Sequence, residues 1–233
     1  EKLAYLYGPT YYTPKVKMCG ISKVETIPAI VDAKPDYMGL VFAPSKRQVT
    51  VDKAKILVEE LHRGYAKKYG SDTEPDKNDT IKTVGVFVNE TVDNLVTIAN
   101  EANLDAVQLH GDEDEAFIQS LKERTNVEVW KAIQIRTAAD TEKWIDSSAD
   151  MLLFDAYHKD ERGGTGEVFD WSSLDAFERP FMLAGGIDST NVARAIRTVR
   201  PYGIDISSGI ETNGVKDDEK ITAFTKIVKS IGR

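Results

Sequence analysis

The sequence predicts an α/β protein made of eight consecutive strand–helix units. Short apolar runs, typical of strands buried on both faces, alternate along the chain with segments whose apolar residues recur at helical spacing. The alternation repeats eight times within 233 residues without an intervening linker. This count fits a single (β/α)8 TIM barrel over residues 15–233 better than an open doubly wound sheet. Residues 1–14 are an irregular, tyrosine-rich lead-in, which we expect to be an N-terminal extension or linker.

The first unit begins with residues 16–21, an apolar run that contains the only cysteine of the chain. Because side chains alternate at period two in a strand, Lys17 and Cys19 share one face. Cys19 stands at the expected end of the strand, and Gly20 turns the chain. Ligands bind outside the carboxyl ends of parallel strands, so we expect Cys19 to lie at a functional site.

The same two patterns justify the other elements in order. Compact apolar runs predict strands at 37–42, 83–88, 105–110, 127–133, 151–155, 181–184 and 204–207. Helical spacing predicts helices at 24–33, 51–65, 92–102, 113–123, 138–145, 171–177, 189–198 and 218–230. Ser22 with Glu25 matches a capping box before the first helix, and the polar stretch 70–80 predicts a solvated loop.

Composition and charge restrict the classes of partner. Thirty cationic and 38 acidic residues give a net charge of −8, which argues against nucleic acid or an anionic membrane surface as the main partner. One cysteine cannot form an internal disulfide, no apolar run is long enough to cross a membrane, and three scattered histidines do not suggest a metal site. We therefore expect a cytoplasmic protein and, because no exposed apolar stripe stands out, a monomer.

Two groups suited to proton transfer stand at the predicted strand ends. A thiol with a pKa of about 8.5 becomes a general base if a neighbouring cation lowers its pKa, and Lys17 is such a cation. Asp155 closes the apolar strand 151–155 and would act as a general acid if its pKa were raised. The alternatives are that Cys19 is only a small buried hydrophobe and that Asp155 forms a helix cap or salt bridge.

Three side chains are candidates for substrate binding, and one of them is Lys17, on the same strand face as Cys19. Arg47 has a planar fork of donors that suits a carboxylate, although an arginine in a loop is often only solvated. His110 stands at the end of the strand 105–110 and either contacts a ligand or makes a structural hydrogen bond.

Glycine-rich loops follow the last three predicted strands. Backbone N–H groups at such turns, together with serine hydroxyls, bind a phosphate without a cation, and barrels often bind phosphate after strands seven and eight. One such loop is a weak signal because it can be only a turn, whereas two on consecutive strands are a stronger one. The candidate residues are Gly164 in the loop 163–166, Gly185 and Gly186 after strand seven, and Ser207, Ser208 and Gly209 after strand eight.

These stretches resemble the phosphoribosylanthranilate isomerase family of tryptophan biosynthesis. The similarity extends in order from about residue 16 to the end of the chain, and only the lead-in and the polar stretch lie outside it. The matching segments are KMCGI at 17–21, GLVFAPSKR at 39–47, VGVFVN at 84–89, VQLHGDE at 107–113, GGTG at 163–166, FDW at 169–171, LAGGI at 183–187 and DISSGIE at 205–211.

The resemblance implies a (β/α)8 isomerase that performs an Amadori rearrangement on a small phosphorylated substrate. By carry-over, Asp155 would protonate the ring oxygen of the phosphoribosyl group and Cys19 would remove the C2 proton. Arg47 would hold the anthranilate carboxylate, and the loops with Gly186, Ser208 and Gly209 would hold the phosphate. The resemblance implies no metal or redox cofactor.

Three other interpretations stay open from the sequence. The histidine-pathway isomerase of aminoaldoses is a related barrel enzyme, but it is expected to place aspartates at both proton-transfer positions. A non-catalytic phosphosugar-binding module would tolerate the loss of Cys19 and Asp155. Members of the resembled family also occur fused to other tryptophan-pathway enzymes, so this chain could be one domain of such a protein.

Overall fold

The computed structural model describes residues 13–70, 80–137, 139–156, 171–174 and 177–231. Eight parallel strands form a closed barrel in which each strand pairs with the next along the chain and the eighth pairs with the first. This topology confirms the predicted (β/α)8 barrel. The strands are β1 (Lys15–Cys19), β2 (Tyr37–Val41), β3 (Lys82–Phe87), β4 (Ala106–Leu109), β5 (Glu128–Gln134), β6 (Met151–Asp155), β7 (Phe181–Ala184) and β8 (Gly203–Ile206).

Helical segments follow the strands on the outside of the barrel. The α-helices are α1 (Ile27–Ala33), α2 (Val51–Tyr69), α3 (Val92–Glu101), α4 (Glu115–Lys122), α5 (Ala139–Glu142), α6 (Val192–Val199) and α7 (Asp218–Ile231). Short 3-10 helices cover Val24–Thr26, Trp171–Leu174 and Ser208–Ile210, and a small hairpin pairs β9 (Glu211–Thr212) with β10 (Val215–Lys216). In the part of the chain that the structure describes, no helix combines the length and apolarity that a membrane span requires.

Several helix starts differ from the sequence prediction, and α6 begins three residues later than predicted. The Ser22 capping box is wrong, because the 3-10 helix begins after Lys23 and α1 begins after Thr26, neither of which caps through its side chain. Pro28 in the first turn of α1 favours a start there, since its fixed φ suits a helix N-terminus and its missing N–H needs no partner. Helix α4 begins two residues later than predicted, with Asp114 as its cap.

Hydrophobic side chains fill both the inside of the barrel and the layer between strands and helices. In the outer layer, α2 buries the predicted stripe of Ala54, Leu57, Val58 and Leu61. The interior is filled by side chains of alternating strand positions, and the rings of Tyr37 and Trp130 meet edge to face there with centroids 4.9 Å apart. This interior layer comprises Tyr37, Val84, Ala106, Trp130, Ala132, Leu153, Met182 and Ala184.

Some segments named in the sequence analysis lie outside the described residues. These are residues 1–12 of the lead-in, residues 71–79 of the polar stretch, and the loop that contains Gly164. The three predictions made for them stay predictions.

Candidate active site

The site is built at the carboxyl ends of the strands, where a cavity of about 1330 Å³ opens. Arg47, His110 and Asp155 all line this cavity, although they follow β2, β4 and β6. Asp155 faces it because Leu153, two residues earlier on the same strand, points into the barrel interior. The barrel therefore brings together three of the residues predicted for the site.

Cys19 stands at the end of β1, on the inward face of the strand. Val16 and Met18 pack in the outer layer, so Lys17 and Cys19 point inward, as predicted. The thiol lies over Gly39, where a Cβ atom would come within 2.7 Å of Sγ. Gly20, with φ of +80°, turns the chain directly after it, and the Arg47 side chain passes over that glycine.

A buried ion pair lies beneath the thiol. Lys17 Nζ donates to Asp205 Oδ1 on β8 at 3.0 Å, and the Lys17 side chain has no exposed surface. Burial lowers the pKa of Lys17, but Asp205 and Cys19 raise it by more. The ammonium therefore stays charged. Lys17 therefore acts on the site through its neighbours, and this structure gives it no surface for the direct substrate contact expected from the sequence.

The thiol itself is protonated near neutral pH. Burial raises the pKa of the Cys19 thiol, and this effect, together with that of Asp205, outweighs the lowering caused by Lys17 and Lys216. Lys17 thus acts in the expected direction, but the expected net lowering of the thiol pKa is wrong. The reason is that burial and the Asp205 charge are tertiary effects that oppose it.

Asp155 contacts His110, and His110 contacts Gln108. The distances are 3.4 Å from His110 Nε2 to Asp155 Oδ2 and 3.4 Å from Gln108 Nε2 to His110 Nδ1. The Gln108 amide nitrogen thus faces Nδ1 of the ring, and Nε2 faces the Asp155 carboxylate. Gln108 is buried on β4, and its Oε1 finds no hydrogen-bond partner within the described residues.

Arg47 is held by the carboxylate of Glu211, which stands shortly after β8. Its Nε donates to Glu211 Oε1 at 2.6 Å, and its Nη2 donates to Glu211 Oε2 at 2.9 Å. Lys216 Nζ donates to the same Oε1 at 3.0 Å, and Lys46 Nζ lies 3.3 Å from Oε2. Burial alone would raise the pKa of Glu211, but hydrogen bonds from Arg47 and Lys216 lower it to about 2.

The loops after β7 and β8 touch each other. Gly185 and Gly186 have φ of +96° and +61°, and the space beyond the Gly186 Cα is open. A Cβ at Gly209 would lie 2.2 Å from the carbonyl oxygen of Ile187, so only glycine permits this close approach. Ser207 Oγ donates to the carbonyl of Cys19 at 3.1 Å. Ser208 is exposed at the start of the short 3-10 helix.

A second buried ion pair supports the opposite side of the mouth. Lys131 Nζ on β5 donates to Glu113 Oε2 at 2.8 Å and to the Gly111 carbonyl at 2.7 Å. Glu113 in turn accepts from the backbone N–H groups of Asn89 and Gly111. The pair therefore joins the loops that follow β3 and β4 to the wall of the barrel.

Comparison with known proteins decides the family. The profile of the family described as N-(5'-phosphoribosyl)anthranilate (PRA) isomerase matches residues 16–227. The chain belongs to the phosphoribosylanthranilate isomerase family. Two relatives named N-(5'-phosphoribosyl)anthranilate isomerase illustrate the similarity. The one from Endomicrobium trichonymphae is 42% identical over 218 residues, which cover 94% of this chain and 100% of the relative. The one from Thermoanaerobacter sp. (strain X514) is 45% identical over 219 residues, which cover 93% and 98%.

Solved structures of phosphoribosylanthranilate isomerases share the fold. The one from Thermotoga maritima superposes with a TM-score of 0.77 at 33% identity and covers 93% of this chain and 99% of its own. Another, solved in complex with reduced 1-(o-carboxyphenylamino)-1-deoxyribulose 5-phosphate, gives a TM-score of 0.74 at 31% identity, with coverage of 93% and 99%. Family membership thus argues against the histidine-pathway alternative.

Sequence reasoning missed several charged residues that the structure places around the site of this family member. Glu211 is the last residue of the segment DISSGIE, so its presence was visible but its partner was not. A lysine within the apolar run of β5 was the visible signal for the pair of Lys131 and Glu113. Lys216 had no such signal, because the hairpin that buries it is too short to show a pattern.

Proposed function

We propose that this chain catalyses the Amadori rearrangement of N-(5-phosphoribosyl)anthranilate to 1-(2-carboxyphenylamino)-1-deoxyribulose 5-phosphate in tryptophan biosynthesis. The observation that best supports this proposal is the presence of Cys19 and Asp155 at the carboxyl ends of β1 and β6 in a chain that matches the family over its whole barrel. The reaction needs one proton donor and one proton acceptor at adjacent positions of the sugar.

Asp155 is the proposed general acid. It donates a proton to the furanose ring oxygen as the bond from that oxygen to C1 breaks, and the nitrogen lone pair forms the Schiff base. His110 holds the carboxyl group through Nε2, at 3.4 Å, and so orients it toward the cavity.

Cys19 is the proposed general base. Its thiolate takes the proton from C2, and the electrons of that bond form the enolamine. The enolamine then tautomerises to the ketone as C1 gains a proton and the C2 hydroxyl loses one. The buried thiol has a raised pKa, so the reactive thiolate is a minor form at neutral pH. The fixed charge of Lys17 lowers the free energy of that form.

The two ends of the substrate carry the charges that position it. We assign the anthranilate carboxylate to Arg47, which lines the cavity, and the phosphate to Gly185, Gly186, Ser207, Ser208 and Gly209. The contact between Gly209 and Ile187 supports the phosphate assignment, since it holds both glycine turns in one rigid unit. His110 lies beside Asp155 in the same cavity.

We also propose a cytoplasmic monomer that acts on a phosphorylated small molecule and binds neither nucleic acid nor membrane. The single cysteine, the net charge of −8 and the biosynthetic role support this assignment. Light scattering after gel filtration measures the mass directly, and a mass twice that of the chain would contradict the monomer.

The decisive experiment follows the loss of substrate fluorescence after fresh N-(5-phosphoribosyl)anthranilate is added to the purified protein. We expect turnover by the wild type and a loss of at least about 100-fold in Cys19→Ala and in Asp155→Asn, because each removes a proton-transfer group. Asp93→Asn is the control, since that carboxylate is 79% exposed and does not line the cavity. A wild type that binds a product analogue without turnover would instead indicate a non-catalytic phosphosugar-binding module.

A further inference from the structure

Glu211 is an acidic residue in a site that must bind a substrate with two anionic groups. Its carboxylate is only 5% exposed, yet it accepts hydrogen bonds from Arg47, Lys46 and Lys216. A buried carboxylate next to the arginine proposed for substrate binding would compete with the substrate if it occupied the whole guanidinium. The geometry shows how this conflict is avoided.

Glu211 occupies one edge of the Arg47 guanidinium and leaves the other edge free. The contacts to Glu211 use Nε and Nη2, which together form the side of the planar fork. Nη1 makes no hydrogen bond within the described residues, and Arg47 lines the cavity. The second edge, formed by Nη1 and Nη2, is therefore available for a carboxylate in the cavity.

The charge around Glu211 also favours an anion. Three cations and one carboxylate leave a net charge of +2 in this group of residues. Lys216 is 6% exposed and donates to the Ser207 carbonyl at 2.8 Å, which anchors the hairpin of β9 and β10 to the end of β8. The hydrogen bond from Lys216 therefore fixes the position of the Glu211 carboxylate at the start of β9.

We propose that Glu211 is a positioning residue that presents the Nη1 and Nη2 edge of Arg47 to the carboxylate of the substrate. Through this contact it sets the preference for an aromatic amine that carries a carboxylate. An unrestrained arginine side chain loses substantial rotamer entropy when it binds a ligand, whereas Arg47 is already ordered by Glu211. This inference rests on the proposed function and deepens it.

The test compares ligands with and without the carboxylate. The probes are reduced 1-(o-carboxyphenylamino)-1-deoxyribulose 5-phosphate and its phenylamino counterpart, and calorimetry measures their Kd without any need for turnover. We expect Glu211→Gln to weaken binding of the carboxylated probe by about 10-fold to 100-fold, because a charge-assisted pair that orders the guanidinium is lost. The Kd of the phenylamino probe should change less than about twofold, since it makes no use of that edge. Glu219→Gln is the matched control on an exposed glutamate of α7, and we expect it to leave both Kd values unchanged.

A double-mutant cycle with Arg47→Lys separates positioning from general destabilisation. Lysine has no fork edge to orient, so Glu211→Gln should cause almost no further loss of selectivity in that background. Equal weakening of both probes by Glu211→Gln, or an undiminished preference for the carboxylated probe, would overturn the inference. Failure of the proposed function is a different result, namely a wild type that binds the probes and does not convert N-(5-phosphoribosyl)anthranilate.

Discussion

The thiol of Cys19 lies next to two opposite charges that affect it in opposite ways. Lys17 favours the thiolate and Asp205 disfavours it, although the two side chains are joined by a hydrogen bond of 3.0 Å. Because both are buried or nearly so, solvent screens their effects only weakly. The basicity of Cys19 therefore depends on the balance within this pair.

Substitutions in the pair should move the thiol pKa in opposite directions. Lys17→Met removes the cation and should raise the pKa of Cys19, whereas Asp205→Asn removes the anion, keeps an acceptor for Lys17 and should lower it. The pH dependence of iodoacetamide alkylation, followed by intact mass, measures the change because Cys19 is the only cysteine. A shift of both variants in the same direction would refute this account.

Among the structural elements, the two glycine turns after β7 and β8 form one unit. The contact of Gly209 with the Ile187 carbonyl leaves no space for a side chain, whereas Gly186 opens into free space. Both are glycines in the same proposed binding site, but they are required for different reasons. Gly209 permits a close approach, and Gly186 supplies a left-handed backbone conformation.

This difference predicts unequal effects of alanine. Gly209→Ala should lower the free energy of unfolding by about 3 kcal/mol, because a backbone atom must move to accept the new methyl group. Gly186→Ala should cost only about 1 kcal/mol, the strain of a positive φ. Urea unfolding measures both. Similar losses in the two variants would show that the contact between the loops does not limit stability.

The pair of Lys131 and Glu113 is the second connection between elements. Glu113→Gln should lower the free energy of unfolding by about 3–5 kcal/mol, because it leaves Lys131 buried without its counter-ion. The double variant Glu113→Gln with Lys131→Met removes both charges and should recover part of the loss. Urea unfolding of the three proteins tests this, and a double variant less stable than the single one would contradict it.

At the scale of the whole molecule, acid should weaken the mouth of the barrel first. The pKa of Glu211 falls from its ordinary value of 4.5 to about 2, so its stabilising effect is complete above pH 4.5 and disappears as the pH falls toward 2. We expect ionised Glu211 to contribute about 2 kcal/mol to the free energy of unfolding at pH 7, a figure that includes solvent screening. The difference in the free energy of unfolding between the wild type and Glu211→Gln should be clearly smaller at pH 2.5 than at pH 7, because most of the stabilising effect is lost by then. A difference independent of pH would rule out this ionisation as its source.

The barrel was predictable from the sequence because each strand is a local pattern. β6 and β7 match the predicted 151–155 and 181–184, since Asp150 and Asp155 delimit the first run and Pro180 and Gly185 delimit the second. The predicted helix 138–145 contains only one helical turn, because Trp144 and Ile145 bond three residues back and tighten the chain into turns. The spacing of apolar residues does not show whether a helical turn continues as an α-helix or tightens into turns.

The site was predictable in part for the same reason. Cys19 and Asp155 could be predicted because a proton-transfer side chain at the end of a strand is a local feature of the sequence. The contact between Arg47 and Glu211 joins residues 164 positions apart, and no periodic pattern of residues in the sequence predicts such a pairing. The raised pKa of Cys19 was missed because burial and Asp205 arise only when β8 closes against β1.

The pairing of β8 with β1 also determines when, during synthesis, the protein acquires its site. Asp205 and Ser207, which contact the first strand, leave the ribosome 188 residues after their partners Lys17 and Cys19. The hairpin that orders Arg47 comes later still. A nascent chain therefore holds an unsupported thiol and an unpaired Lys17 until β8 has emerged. Premature termination before β8 should thus give a protein with no activity at all, because the first and last strands complete the site together.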